Sequence, residues 1–297
     1  MAVPLNGTSS CSLKRYGRRS ALSTARAISV AMSPVKKKPA SDDTGTVSRI
    51  LQVLQCFSEQ PEWRVGLLAQ RLNLPRSTAH RLLNLCRAQG FVESDGVGVY
   101  RPGLGLYRLA GRLSFQMPIR RIAAPLLTEF TQHFSEASLL TVLERTALKV
   151  FFAAKAEPSA PMRYVIETNT LAPLGWGASA RAILAFMSEA DIAEVARRAE
   201  PSPVDGRPLD VKDLLKSLPK IRAKGYAITQ NQRTPDGVGV AVPFFDAAGE
   251  VAGNVCVTVP VFRFKPRDEP AFVKALAEMA AKISDALGST RIHKIAD

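Results

Sequence analysis

Between residues 62 and 101 the apolar positions change their period twice, and the changes mark out four elements. Val65, Leu67, Leu68 and Leu72 recur at helical spacing up to a turn at Asn73-Leu74-Pro75. Ala79, Leu82, Leu83 and Cys86 then line one face of a second helix, which Gly90 stops. Beyond it, Phe91-Val92 and Val97-Val99 alternate on either side of Asp95-Gly96 like a small hairpin. An amphipathic helix pair with outward arginines is also the pattern of an ordinary solvated bundle. The Pro75 turn, the Gly90 stop and the hairpin, in that order, point instead to a winged helix-turn-helix, whose second helix enters the major groove of DNA. The polar face of that helix carries Arg76, Ser77, Thr78, His80, Arg81 and Asn84, groups that reach phosphates and base edges.

Flanking patterns extend this module. Val47, Ile50, Leu51, Val53, Leu54 and Phe57 supply the buried stripe of a helix over about 47–58. After Pro102-Gly103, Leu104, Leu106, Leu109 and Leu113 repeat helically, predicting a linker helix over 104–117 that couples two domains or pairs with its own copy. Pro118 opens the next segment. Residues 119–135 read as a long helix, with strands over 137–143 and 149–154 and a third candidate strand at Tyr164–Glu167. Helices are expected over 179–187, 189–199, 210–224 and 270–287, with a Pro-rich loop at 201–208. Residues 238–245 and 251–259 read as a hairpin of buried strands around Asp246-Ala247-Ala248-Gly249. The expected fold class is α+β: a winged helix-turn-helix over 46–103, the linker helix, and a sensor-like second domain over 118–290.

Charge sharpens the picture by its distribution. The net charge is +14, and the module over 46–112 holds nine arginines against Glu59, Glu62, Glu93 and Asp95. Residues 1–45 add eight Lys and Arg against Asp42 and Asp43, so positive charge gathers where phosphates would be met. That first segment has few large apolar residues and no amphipathic stripe or apolar signal core. It reads as a disordered, dispensable basic tail, either an arm on phosphates or an over-extended start with Met32 as initiator. Cys11, Cys56, Cys86 and Cys256 are scattered, without disulfide or zinc spacing, which fits a reducing cytoplasm. The run Val238–Phe245 is far short of a membrane span.

Catalytic chemistry is not expected. His80, His133 and His293 stand in no nucleophile–base or metal motif. Gly237 and Gly239 follow Pro235-Asp236 without the strand-to-helix context of a phosphate loop, and Glu144 and Glu167 read as solvated acids. No metal or cofactor is expected. A hidden enzyme tethered to DNA, or a nucleic-acid binder whose second domain serves only assembly, are the alternatives to a regulator.

Taken together, three stretches resemble the IclR family of bacterial transcription regulators: LNLPRSTAHRLLNLCRAQGFVE with Tyr100 and Leu104-Gly105 after it, APLGWGASARAILA, and KGYAITQNQRTPDGVGVAVPFFDAAGEVAGNVCVTVP. The resemblance covers about residues 46–290. It implies a winged helix joined to a GAF-like α/β effector-binding domain, acting as a homodimer or homotetramer on palindromic operators in double-stranded DNA. It also implies that the helix around 76–88 is the recognition helix. There Arg76 and Arg81 meet guanine edges or phosphates, Ser77 and Thr78 contact DNA or cap the helix, and Arg101 after the wing is a further phosphate candidate. For a small-molecule effector, an organic and possibly aromatic acid, the family positions fall on Trp176, Ala178, Ser179, Thr229, Gly239, Cys256 and Thr258. Core packing is the competing reading for Trp176 and Cys256, and a surface hydroxyl for Thr258. Gly175, Ala180-Arg181, Thr229-Gln230 and Gly239 depart from the family pattern, and the loss of an acidic pair favours an anionic ligand. Arg181 reads either as a source of positive charge or, more simply, as a solvated helix residue.

Overall fold

The computed structural model describes residues 45–159, 164 and 166–291. Residues from Ile50 onward group into one compact unit, separate from those up to Arg49. The tail expected over 1–45, with Met32 and Cys11, lies outside the described residues but for Gly45.

The first elements are α1 (Thr46–Glu59), β1 (Trp63–Arg64), α2 (Val65–Arg71), α3 (Arg76–Ala88), β2 (Val92–Ser94) and β3 (Val99–Pro102). Most of the apolar stripes read from the sequence meet in one cluster that includes Val53, Phe57, Leu68, Leu82, Leu83 and both Cys56 and Cys86, but Val47 and Leu51, expected in the buried stripe of α1, are exposed, as is Leu67 of α2. Burying each large side chain there contributes roughly 1.5–3 kcal/mol. β1 is too short to show a period, and it completes a sheet of order β1-β3-β2. Trp63 pairs with Tyr100 across it, and its indole N–H donates to the Cys56 carbonyl at 2.9 Å. The wing departs from the expected hairpin at its tip. The Asp95 carboxylate accepts from the N–H groups of Val97 (2.8 Å) and Val99 (3.2 Å), winding 95–98 into a loop. Val97 is therefore exposed at the tip, and the strand begins only at Val99.

α4 (Leu104–Gln116) follows, with Leu104, Tyr107, Leu109 and Leu113 exposed. Its first turn sits on the end of α3: the Gly105 N–H donates to the Gly90 carbonyl at 2.9 Å, and the Gly103 N–H to Phe91 at 2.9 Å. A Cβ on Gly105 would stand 2.7 Å from that carbonyl oxygen. Only a hydrogen atom fits there.

The larger half contains α5 (Pro118–Phe134), β4 (Ala137–Glu144), β5 (Lys149–Ala156), β6 (Ala172–Pro173), α6 (Gly177–Leu184), α7 (Glu189–Arg197), α8 (Val211–Lys224), β7 (Ala227–Gln230), β8 (Gly237–Phe245), β9 (Val251–Pro260) and α9 (Glu269–Ala286). Ser188 and Asp210 cap α7 and α8, their side chains accepting from the N–H groups of Asp191 and Asp213. The six strands form one antiparallel sheet of order β6-β5-β4-β9-β8-β7.

Helices cover both faces, so alternate residues of each central strand enter different cores. Leu139, Cys256, Ala241 and Ala227 stand abreast and belong to the core shared with α6, α7 and α8. Leu140, Val255 and Val242, one residue on, belong to the core shared with α5 and α9. Burial on both faces explains the continuous apolar runs of β8 and β9. The strand expected at Tyr164–Glu167 is absent from the described residues of that segment, which are irregular. The Tyr164 hydroxyl donates to the carbonyls of Asp236 (2.6 Å) and Pro235 (3.1 Å), so the segment is tied to the β7–β8 loop instead of pairing with an edge.

Two glycines of α4 separate close approach from helix propensity. Gly105→Ala should destabilise the winged-helix half by ~1–3 kcal/mol through overpacking. Gly111→Ala, with nothing within 4 Å of the added carbon, should stabilise it by up to ~1 kcal/mol. Thermal and urea unfolding would measure both, and equal effects of one sign would contradict this packing.

Candidate functional site

α3 buries Ala79, Leu82, Leu83 and Cys86 and turns its opposite face outward. Arg76, Ser77, His80 and Asn84 on that face line an open groove of about 620 Å³ whose other wall is the wing, at Ser94, Gly96, Gly98 and Tyr100. Arg87, one turn further along, lines it too. Its sequence signal was its place on the outward face, three residues beyond Asn84 and seven beyond His80. Asn84 Nδ2 lies 3.2 Å from His80 Nδ1, so these side chains are packed together one turn apart. Thr78 is half-buried and Arg81 exposed, and neither lines the groove. Neither Ser77 nor Thr78 caps α3: Pro75 occupies the cap position, and its carbonyl accepts the Ala79 N–H at 3.0 Å. Arg101 lies on β3 and is engaged with Glu62 at 2.8 Å, an exposed pair worth little energetically. A polyanion arriving at the wing would compete with Glu62 for it.

The second site lies where α6 begins above the sheet. Thr229, Gly239 and Thr258 stand abreast on β7, β8 and β9. The missing side chain at Gly239 leaves a gap between the two threonines, and Ala178 of α6 closes over it: a Cβ at 239 would stand 3.2 Å from that of Ala178. The result is a cavity of about 50 Å³ lined by these four residues with Ser179, Cys256, Phe152 and Ile166, among others. Six of the seven positions that the resemblance implied are thus brought together. Trp176 is not: it precedes α6 in extended conformation, half-buried, and its indole N–H donates to the Glu200 carbonyl at 2.9 Å.

Beneath the cavity lies a buried polar cluster. The Ser179 hydroxyl donates to Asn254 Oδ1 at 3.1 Å, and Asn254 Nδ2 returns a bond to the Ser179 carbonyl at 3.0 Å. Cys256 Sγ lies 3.2 Å from Ser179 Oγ and 3.8 Å from Thr141 Oγ1. Burial pushes the Cys256 thiol above its ordinary value, which marks it as wall and not as nucleophile. Above the cavity, the first-turn N–H groups of α6 have no partner within the helix, as at any helix start, and Gly177, Ala178 and Ser179 all line the space.

Two arginines contrast here. Arg181 is not solvated: it is buried on α6, bonded to Asp213 (3.0 Å), Ser217 (2.8 Å) and Gln232 (3.1 Å). It braces α6 against α8 and the β7–β8 loop and does not line the cavity. Arg233 was not anticipated. It comes from the irregular β7–β8 loop, lines the cavity, and holds its guanidinium 5.0 Å from the centre of the Phe152 ring. Desolvation pulls its pKa below the ordinary value. Gly177 makes room for it: φ there is +87°, and a Cβ would stand 2.9 Å from that of Arg233. Gln-Arg-Thr-Pro-Asp has no period, so nothing in the sequence marked the arginine as inward-facing.

Comparison with known proteins places this geometry. Residues 46–96 match the family model of the IclR helix-turn-helix domain, and residues 113–285 that of the bacterial transcriptional regulator IclR C-terminal region. The HTH-type transcriptional regulator BhcR of Paracoccus denitrificans (strain Pd 1222) is 28% identical over 256 residues, spanning 82% of this chain and 88% of the relative. An IclR transcriptional regulator from Alicyclobacillus acidocaldarius shares the fold at a TM-score of 0.73 and 24% identity, over 82% of this chain and 98% of its own. An IclR homologue from Microbacterium hydrocarbonoxydans, solved in complex with 4-hydroxybenzoate, reaches a TM-score of 0.68 at 25% identity, over 82% and 98% of the two chains. Among the described residues no helix is long and apolar enough to cross a membrane. With family models matching both its helix-turn-helix and most of its larger half, the chain belongs to the IclR family of bacterial transcriptional regulators, DNA-binding proteins with an effector-binding domain and not enzymes.

Proposed function

We propose that this regulator reads an operator through α3 and the wing, and that a small organic acid bound beneath the start of α6 sets its affinity for that operator. The cavity carries the effector half of the reading: it joins unbonded helix N–H groups and two threonine hydroxyls to the apolar walls of Phe152 and Ile166. A helix start favours an anion, and the apolar walls favour its hydrocarbon part. The 4-hydroxybenzoate bound by the Microbacterium homologue is an acid of this kind. At about 50 Å³ the space suits a short acid as it stands. The groove between α3 and the wing supports the DNA half, with Arg76, Ser77, His80 and Asn84 on its wall and Arg81 on the adjoining exposed face. Arg101, once drawn from Glu62, adds a phosphate contact.

The exposed Leu104, Tyr107, Leu109 and Leu113 of α4 support pairing of two copies. A homodimer, or a homotetramer built from it, suits a palindromic operator in the cytoplasm. Effector binding acts on DNA only if it favours one arrangement of the paired readers over another, and α4 is the connection through which that preference would pass.

Fluorescence anisotropy should give a preference of ~1000-fold or more for DNA upstream of the protein's own gene over a scrambled duplex at about 0.15 M salt. Arg76→Ala or Arg81→Ala should weaken specific binding by ~1–3 kcal/mol. Equal, weak binding to upstream, neighbouring-promoter and scrambled duplexes, with and without candidate acids, would refute operator reading.

The effector half has its own check. A cognate acid at a hundred times its Kd should add ~2.7 kcal/mol of stability, visible as a rise in Tm. It should change operator affinity by the same factor by which operator DNA changes acid affinity. A series of short aliphatic and aromatic acids that leaves both Tm and operator affinity unmoved counts against the acid.

A further inference from the structure

We propose that Arg233 is the counter-charge of the effector, and that the cavity selects a monoanionic carboxylate. The inference rests on the reading of this cavity as the effector site and assigns the residue that holds the ligand's charge.

Three independent features converge on it. First, Arg233 has no hydrogen bond and no carboxylate within ion-pair distance among the described residues; its one contact of note is the Phe152 ring. Desolvating a guanidinium without an anion is unfavourable, and a ring face recovers only part of the loss. Other arginines withdrawn from solvent in this half do have partners: Arg181 is paired with Asp213, Arg263 makes a bidentate pair with the buried Glu136 at 2.7 and 2.8 Å, and the half-buried Arg120 is hydrogen-bonded to Ser114. Second, among the described residues no Asp or Glu lines the cavity, so none of them neutralises the cation there. Third, Arg233 stands against Gly177, the first residue of α6, so the guanidinium and the free N–H groups of that helix address one space.

The arrangement also fixes the ligand's charge. One guanidinium and a helix end worth about half a charge match a single negative charge. A dianion such as a phosphate monoester would bring surplus charge into a space with no second cation on its wall among the described residues. Planar carboxylate geometry fits the guanidinium fork, and the remaining oxygen lone pairs meet the α6 N–H groups or the Thr229 and Thr258 hydroxyls. The hydrocarbon part then lies on Phe152, Ile166 and Val257. Gly177 belongs to the device, because any side chain there would push Arg233 out of place.

Isothermal titration and thermal unfolding of the full chain test this. The probes are pyruvate, benzoate and 4-hydroxybenzoate, the neutral amides of the same acids, and inorganic phosphate. At least one acid should bind the wild-type protein while its amide and phosphate do not. Arg233→Gln should weaken that acid by roughly tenfold or more, with Arg233→Lys between the two. Without ligand, Arg233→Gln should unfold at the same temperature as wild type or higher, because it removes an uncompensated charge. A structural arginine would behave in the opposite way, its loss lowering Tm with acid affinity unchanged, and that pair of results overturns the assignment. Wild-type and Arg233→Gln proteins that bind an acid equally well remove Arg233 while leaving the cavity an acid site. Binding of the amide as tightly as the acid removes the carboxylate requirement. Failure of every acid on the wild-type protein overturns the inference together with the effector reading beneath it.

Discussion

One buried amide settles how the larger half is assembled. Asn254 is wholly inaccessible in the middle of β9, and both ends of its side chain are bonded to the same residue, Ser179 of α6. The sheet around it is largely apolar on both faces, and the hydrophobic effect, which has no direction, would accept α6 in several positions along it. A reciprocal pair of hydrogen bonds accepts one, because sliding the helix would leave four buried polar groups without partners. The positions that follow on the same face of β9 are Cys256 and then Thr258. The bond that seats the helix thus lies at the edge of the cavity, which Ser179 itself lines, and the start of α6 is held over Gly239 as a result. Site and fold share a single fastening.

The sequence disclosed most where a side-chain period had a long run to show itself. α1, α2, α3 and α4 came from their apolar stripes, and β8 and β9 from unbroken apolar runs that a doubly covered sheet accommodates. It disclosed least where the chain is short or irregular. β1 and β6 have two residues each, and no alternation can be seen in two residues. Tyr164 has the composition of a strand residue, but its hydroxyl found two carbonyls of a loop some seventy positions away, a tertiary bond without local trace. The cavity was legible only through resemblance, and one of the seven positions it implied lies outside the lining. Trp176 precedes the helix whose next residues form the roof, and its ring turned toward Glu200.

The two arginines show why burial of a charge is hard to read from a sequence. Arg181 sits on a helix beside residues that pack, and a solvated face was the simpler expectation; yet Asp213, Ser217 and Gln232, from a different helix and a loop, complete a cage around it. Arg233 sits in a segment that looks like any polar surface loop, yet Gly177 opens a slot that draws it inward. In both cases the deciding partner is distant in sequence and carries no mark of its role. Charge placement is a property of the assembled layers, whereas the apolar stripes belong to single elements.

The strand order has a consequence for how the chain comes into being. The sheet's middle is the pairing of β4 with β9, which brings together Thr141 and Cys256, 115 residues apart. Neither of the large cores can close until β9 exists, and so long a loop slows the search for that pairing. The winged helix draws its whole cluster from between Val53 and Tyr100. At ribosomal rates of ~5–20 residues per second, roughly ten to thirty seconds separate synthesis of its last strand from that of β9. During that interval the nascent protein holds a finished DNA reader tethered to an unfinished sensor.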